Sequence, residues 1–207
     1  MTPKLVLASA SPRRSALLAE LDLQFTVRPS GADETPLAGE SPADLVRRLA
    51  CAKALARLAP GEIVLAADTI VVIDEEILGK PADEAAARAM LAQLSGREHE
   101  VWSGVAVAEK GRLATRVERT LVRIRALEPG EIAAYVAGGE PSDKAGAYAI
   151  QGWGAVYVEG ITGNYTNVVG LPLPAVAACL RELGFEFTDF RRDFRRDSLN
   201  GTLIETL

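Results

Sequence analysis

The run EIVLAADTIVVID, residues 62–74, does most to limit what this chain can fold into. Between its terminal Glu62 and Asp74 it is apolar except for one carboxylate, Asp68, set in its middle beside Thr69. Burying an unpaired charge costs several kcal/mol. Asp68 therefore needs a partner, a metal, or a strand end that faces a cleft. The run reads as a buried strand pair interrupted at Ala67-Asp68-Thr69, and a turn-forming aspartate between two strands is the plainer alternative.

Strand-like and helical runs alternate around this segment. KLVLAS reads as a strand, followed by a helix from Pro12 to about Leu21 with Ser11 as N-cap. FTVRPS reads as a second strand, with Phe25 and Val27 alternating. SPADLVRRLACAKALARLA opens on Ser41 and Pro42, and its Leu45, Leu49, Ala52 and Ala56 recur at helical spacing. DEAAARAMLAQLSG is a helix stopped at Gly96, and the stretch 99–127 is a hairpin turning at Lys110-Gly111. A short helix ends at the paired glycines 138 and 139; GAVYVEGI is a strand, and LPLPAVAACLRELGF is the last helix. This mixture predicts an α/β (mixed α+β) fold with a long twisted mixed sheet and flanking helices. Neither G-x-G-x-x-G nor G-x-x-x-x-G-K-[ST] occurs.

The 207 residues suffice for one sizeable core, or for one domain with two lobes. No apolar run approaches the ~20 residues of a membrane span, and mean hydropathy is only +0.10. Met1 to Lys4 lead into the first strand without a signal-peptide pattern, so a cytoplasmic protein is expected, without a membrane partner. A net charge of −5 disfavours nucleic acid as a stable partner. Cys51 and Cys179 are far apart and fall in helical patterns, which suggests buried thiols; a single histidine, His99, rules out a multi-histidine zinc site. The expected domain covers residues 1–187, and residues 188–207, with the repeated DFRRDFRRD, form a polar tail.

The informative positions are charges inside apolar or glycine-rich runs. Arg13 and Arg14 stand where a helix start favours anions, so they either serve an anion site or are surface arginines. Lys80 lies in the turn Gly79-Lys80-Pro81. Lys53 is set among alanines on a helix, from which a lysine also snorkels to solvent, and Glu34 is a lone acid in a loop. Residues 140–173 are rich in glycine, which admits close approach of backbone to a ligand. They hold Gln151, whose amide is suited to reading a base edge, preceded by Asp143 and Lys144. Four cations, two acids and an amide match the needs of a nucleoside triphosphate with a divalent metal.

These residues carry a resemblance. LASASPRRSALL resembles the S-x-S-P-R-R signature of the Maf family of nucleoside triphosphate pyrophosphatases. AADTIVVIDEEILGKP resembles its A-D-T…G-K-P block, and DKAGAYAIQGWGAVYVEGITGNYTNVVGLPL its C-terminal signature. The resemblance spans about Lys4 to Leu183. It implies two lobes around a deep cleft, similar to the inosine triphosphate pyrophosphatases. It implies hydrolysis of a triphosphate to the monophosphate and pyrophosphate with Mg2+, or Mn2+ or Co2+. Carried over by position, Asp68 is the proton acceptor, and Arg13, Thr69 and Gln151 are the specificity positions. Ser9, Arg14, Lys53 and Lys80 face phosphate, and Glu34 joins Asp68 at the metal. Thr69 and Ile150-Gln151-Gly152 point to the branch associated with dTTP and UTP, with CTP and modified pyrimidine nucleotides also admitted. The family also allows a homodimer. The competing readings are a non-catalytic regulator of cell division and a phosphatase of another nucleotide class, such as inosine triphosphate.

Overall fold

The computed structural model describes residues 3–191. In chain order the main elements are β1 (Lys4–Leu7), α1 (Pro12–Ala19), β2 (Phe25–Val27), α2 (Pro42–Leu55), β3 (Glu62–Ile73), β4 (Glu76–Leu78) and α3 (Glu84–Leu94). They continue with β5 (Glu98–Glu109), β6 (Arg112–Ile124), α4 (Pro129–Ala137), β7 (Val158–Thr162), α5 (Tyr165–Val169) and α6 (Leu173–Glu182). One seven-stranded sheet runs in the order β2-β1-β3-β5-β6-β7, with β4 beside the end of β3. β1 pairs parallel with β2 and β3, and the other pairings are antiparallel, so the sheet is mixed as expected.

The expected strand pair around Asp68 is one continuous strand. β3 runs for 12 residues, and both Asp68 and Thr69 are in register with β5, opposite Gly104 and Ser103. A strand alternates its side chains between faces, and here the alternation distributes them among four packing regions. Ile63, Leu65 and Ala67 enter a core with α1 and α6, whereas Val71 and Ile73 enter a second core with α3 and α4. Thr69 is the polar position between them on that face. On the opposite face, Val64 and Ala66 pack under one end of α2, and Ile70 and Val72 under the other, with Asp68 between.

Helix α2 starts where its caps predict: the Ser41 side chain accepts from the Asp44 N–H, and Pro42 takes the first turn. Its buried face is Leu45, Val46, Leu49, Ala50, Lys53 and Ala54, rotated from the expected one, with Ala52 half-buried and Ala56 exposed. The helix sits close to the sheet at Gly104, where an added Cβ would overlap the Val46 carbonyl. That close approach is directly across from Asp68.

Other differences follow from short-range geometry. The segment expected as the strand GAVYVEGI is a 3-10 helix from Gly152 to Tyr157, and β7 begins only at Val158. Residues 188–191, expected in the tail, belong to the packed structure. Phe190 is buried in the core formed with α1 and α6, and Leu23 bridges to Arg191. The rest of the expected tail lies outside the described residues. Cys179 is buried as expected, and Cys51 only half-buried. Among the described residues, no helix is long and apolar enough to cross a membrane.

Gly104→Ala forces α2 off the sheet, and overpacking of this kind costs about 1–3 kcal/mol; the urea midpoint should fall, and unchanged stability would refute the close packing. A second expectation concerns His99, which is buried with the Tyr148 hydroxyl 2.7 Å from its Nε2. Burial lowers its pKa from 6.5 to about 4. The unfolded chain therefore takes up this proton first, so stability is complete above about pH 6.5 and falls as pH drops toward 4, by about 1.4 kcal/mol per unit. Urea unfolding of the native protein and His99→Gln across this range should differ by that slope; parallel profiles would refute it.

Candidate active site

β1 covers the edge of β3 only as far as Leu65, and β4 covers it only from Val71. The stretch between, 66–70, has no strand on that side, and a cavity of about 620 Å³ opens there. Its wall takes residues from the β1–α1 turn, the loop containing Glu34, α2, β3, the link after β4, and the segment 143–151. Every residue expected at the site lines it: Ser9, Arg13, Arg14, Glu34, Lys53, Asp68, Thr69, Lys80 and Gln151.

The floor is a buried ion pair. Lys53 Nζ lies 2.6 Å from Asp68 Oδ1 and 2.7 Å from Glu34 Oε1. Lys53 and Asp68 are each 6% exposed, while the Glu34 side chain is largely open to solvent. Lys53 thus joins a strand residue to a loop acid and does not snorkel. The two carboxylates converge on a single point, and the described residues contain no cluster of three or more metal-ligating side chains. That donor set does not form an all-protein cage. It does fit a hard cation completed by substrate oxygens, the usual manner of Mg2+.

Arg14, the expected phosphate clamp, has most of its donors engaged within the protein. Its Nε donates to the Gly170 carbonyl at 2.7 Å, and Nη1 to the Ala67 carbonyl at 2.7 Å and Ser9 Oγ at 3.2 Å. Nη2 donates to Thr69 Oγ1 at 3.1 Å. A guanidinium has five N–H donors, so one is left for a ligand. Burial pulls its pKa below the ordinary range, opposed by the charges of Asp68 and Glu34. Arg14 ties the bare edge of β3 to the start of α1 and to the turn after α5. Ser9 contributes to the same tie, accepting also from the Ser11 N–H at 3.1 Å.

Thr69 is equally committed. Its hydroxyl donates to the Gly170 carbonyl at 3.2 Å and meets Ser103 Oγ at 2.8 Å, besides accepting from Arg14. Its contribution to the cavity is position and shape. Arg13 crosses the opening to Asp143, with Nη1 3.1 Å from Oδ2. The Lys144 and Arg13 contacts hold the Asp143 carboxyl below its ordinary range despite some burial. Lys80 is exposed and has no ion-pair partner among the described residues, and Gln151 is exposed at the rim.

Sequence reasoning misses Ser103 and Tyr148, reaches Gly170 only as one of the glycines of its segment, and reaches Asp143 and Lys144 only as neighbours of Gln151. Ser103 carries the same signal as Asp68, a polar side chain inside an apolar strand. The lining holds five cations, Arg13, Arg14, Lys53, Lys80 and Lys144, against three carboxylates, Glu34, Asp68 and Asp143. That excess favours a polyanionic ligand.

Residues 4–183 match the Maf-like protein family. A dTTP/UTP pyrophosphatase of Myxococcus xanthus (strain DK1622) is 54% identical over 182 residues, covering 87% of this chain and 92% of the relative. Enzymes of the same name from Anaeromyxobacter dehalogenans (strain 2CP-C) and Moorella thermoacetica are 52% and 54% identical, covering 89% and 88% of this chain and 96% of each relative. Among solved structures, a HAM1 protein from Coxiella burnetii aligns over 59% of this chain and 73% of that one, at 20% identity and TM-score 0.41, too distant to carry an argument. The family match and these relatives place the chain in the Maf-like protein family.

Proposed function

We propose that this protein is a nucleoside triphosphate pyrophosphatase acting on dTTP and UTP, with CTP and modified pyrimidine triphosphates as further substrates. The observation that carries the reading is Asp68, a buried carboxylate at the floor of a cavity with a cationic excess, in a chain about half identical to enzymes named for that activity. Water attacks the α-phosphorus, and the bond from it to the α–β bridging oxygen breaks. The products are the monophosphate and pyrophosphate.

Lys53 holds Asp68 Oδ1, and Oδ2 is the oxygen that takes the proton of the attacking water. Fixing one oxygen orients the other. Lys80, with Arg13 released from Asp143, supplies charge to the phosphate chain, and Arg14 adds its remaining N–H. Asp68 and Glu34 would hold a divalent cation, Mg2+ being the first choice, which neutralises phosphate charge when bound. Gln151 offers a donor and an acceptor to the edge of the base. The arginines of β6 and the link after it support a small-molecule substrate over nucleic acid. Arg112, Arg116, Arg119, Arg123 and Arg125 each meet a glutamate, Glu109, Glu182, Glu100, Glu159 and Glu131 respectively, so they form no basic stripe.

The deciding experiment is a panel of triphosphates with Mg2+ and identification of the products. Pyrophosphate from dTTP and UTP is expected, and orthophosphate in its place would reject the reaction. Asp68→Asn should lower kcat by roughly 10²–10⁴-fold, the usual contribution of a general base. Near-normal turnover would remove Asp68 from that role.

A further inference from the structure

The segment that carries Gln151 is held from both sides by two residues outside the cavity wall, Tyr135 and Glu140. Glu140 Oε1 accepts from the Tyr135 hydroxyl at 2.8 Å and from the Gly154 N–H at 3.1 Å. Its Oε2 accepts from the Trp153 N–H at 3.1 Å. The Tyr135 hydroxyl in turn accepts from the Ala149 N–H at 3.3 Å. Backbone groups on either side of Gln151 thus close on one carboxylate–phenol pair. Burial raises the Glu140 pKa, but these donors outweigh it, and the carboxyl titrates below its ordinary range.

The glycines around Gln151 match this arrangement. At Gly152, which has φ +69°, an added Cβ would lie 2.8 Å from Glu140 Oε2. At Gly154 it would overlap the Ala149 carbonyl and come 2.6 Å from the Tyr135 hydroxyl. Side chains are excluded here because the carboxylate, the phenol and the Ala149 carbonyl occupy their space. A carboxylate is needed because it only accepts; the amide of glutamine would turn a donor toward a backbone N–H.

We propose that Glu140, with Tyr135, is a positioning residue for base selectivity: it fixes the backbone from Ala149 to Gly154 so that Gln151 presents its amide to the base. The proposal rests on the reading of Gln151 as the base-contacting residue. Glu140 touches neither substrate nor the reacting atoms, so its loss changes discrimination between bases and leaves the chemical step in place.

The test uses the full-length protein with dTTP and dGTP, which share a sugar and differ in base, and compares kcat/KM for each. Gln151→Ala should narrow the ratio between the two nucleotides. Glu140→Gln should narrow it by roughly tenfold, as expected when a half-buried charged acceptor is lost. The change should come through the KM for dTTP. A merely structural loss would lower both activities alike and leave the ratio unchanged. The double variant should discriminate no worse than Gln151→Ala alone, because both act through one contact. Tyr135→Phe, a milder change, should narrow the ratio in the same direction and serves if Glu140→Gln does not fold. If Gln151→Ala narrows the ratio while Glu140→Gln and Tyr135→Phe leave it intact, the positioning role is overturned and the reading of Gln151 stands. Additive losses in the double variant also overturn the positioning role. If Gln151→Ala itself leaves the ratio intact, the reading of Gln151 fails, and the role of Glu140 fails with it.

Discussion

Lys53 and Asp68 meet 2.6 Å apart where water has little access, and much of the architecture around the cavity is arranged to let them meet. Removing one partner of such a pair typically costs about 3–5 kcal/mol, a large share of the roughly 5–15 kcal/mol that keeps a domain folded. The carboxylate is carried by an uninterrupted strand, so its height above the sheet is fixed. The ammonium comes from a helix that must lie close enough to reach it, which the missing side chain at Gly104 allows. Glu34 brings the long loop before α2 to the same ammonium. Strand, helix and loop therefore share one charge.

The uncovered edge of β3 has a different problem. It leaves a carbonyl, that of Ala67, without a strand partner, and Arg14 supplies the donor. Two arginines at the start of α1 conflict with the helix dipole by about 0.3–1 kcal/mol each. Hydrogen bonds from a charged donor are worth about 1.5–3 kcal/mol apiece, and Arg14 makes four, to Gly170, Ser9, Ala67 and Thr69. These bonds outweigh the dipole and hold Arg14 in place. Arg13 lacks such ties, and its partner Asp143 lies across the opening.

The capped helices and the β5–β6 hairpin are legible in the chain because each rests on local chemistry; the nine expected lining residues are legible as polar groups set in apolar or glycine-rich runs and through the motif resemblance, which alone supplies Ser9. The break expected at Asp68 does not exist: a polar residue in an apolar run looks the same whether it marks a turn or faces a cleft, and its partner lies on another element. The face of α2 is hard to read for a related reason. Lys53 looks polar, although Leu45, Leu49 and Lys53 follow one another in helical steps along the buried side. Helix α5 has only five residues, too few to display a period. The 3-10 turn after Gln151 depends on Glu140, which lies 13 residues before Trp153, and no local pattern announces the link. Phe190 belongs to the polar repeat that begins at Asp189, and its burial is decided by the core it meets.

Asp68 and Thr69 are adjacent in the chain and point to opposite faces of the same strand, one toward α2 and the other toward the turn after α5. A shift of one residue along β3 would exchange every side chain between faces. It would put a hydroxyl against Lys53 and a carboxylate beside Ser103 and the Gly170 carbonyl. Over evolutionary time the apolar positions of this strand can therefore change one at a time, but the strand is closed to insertion and deletion, and length variation in descendants of this chain has to fall in the loops.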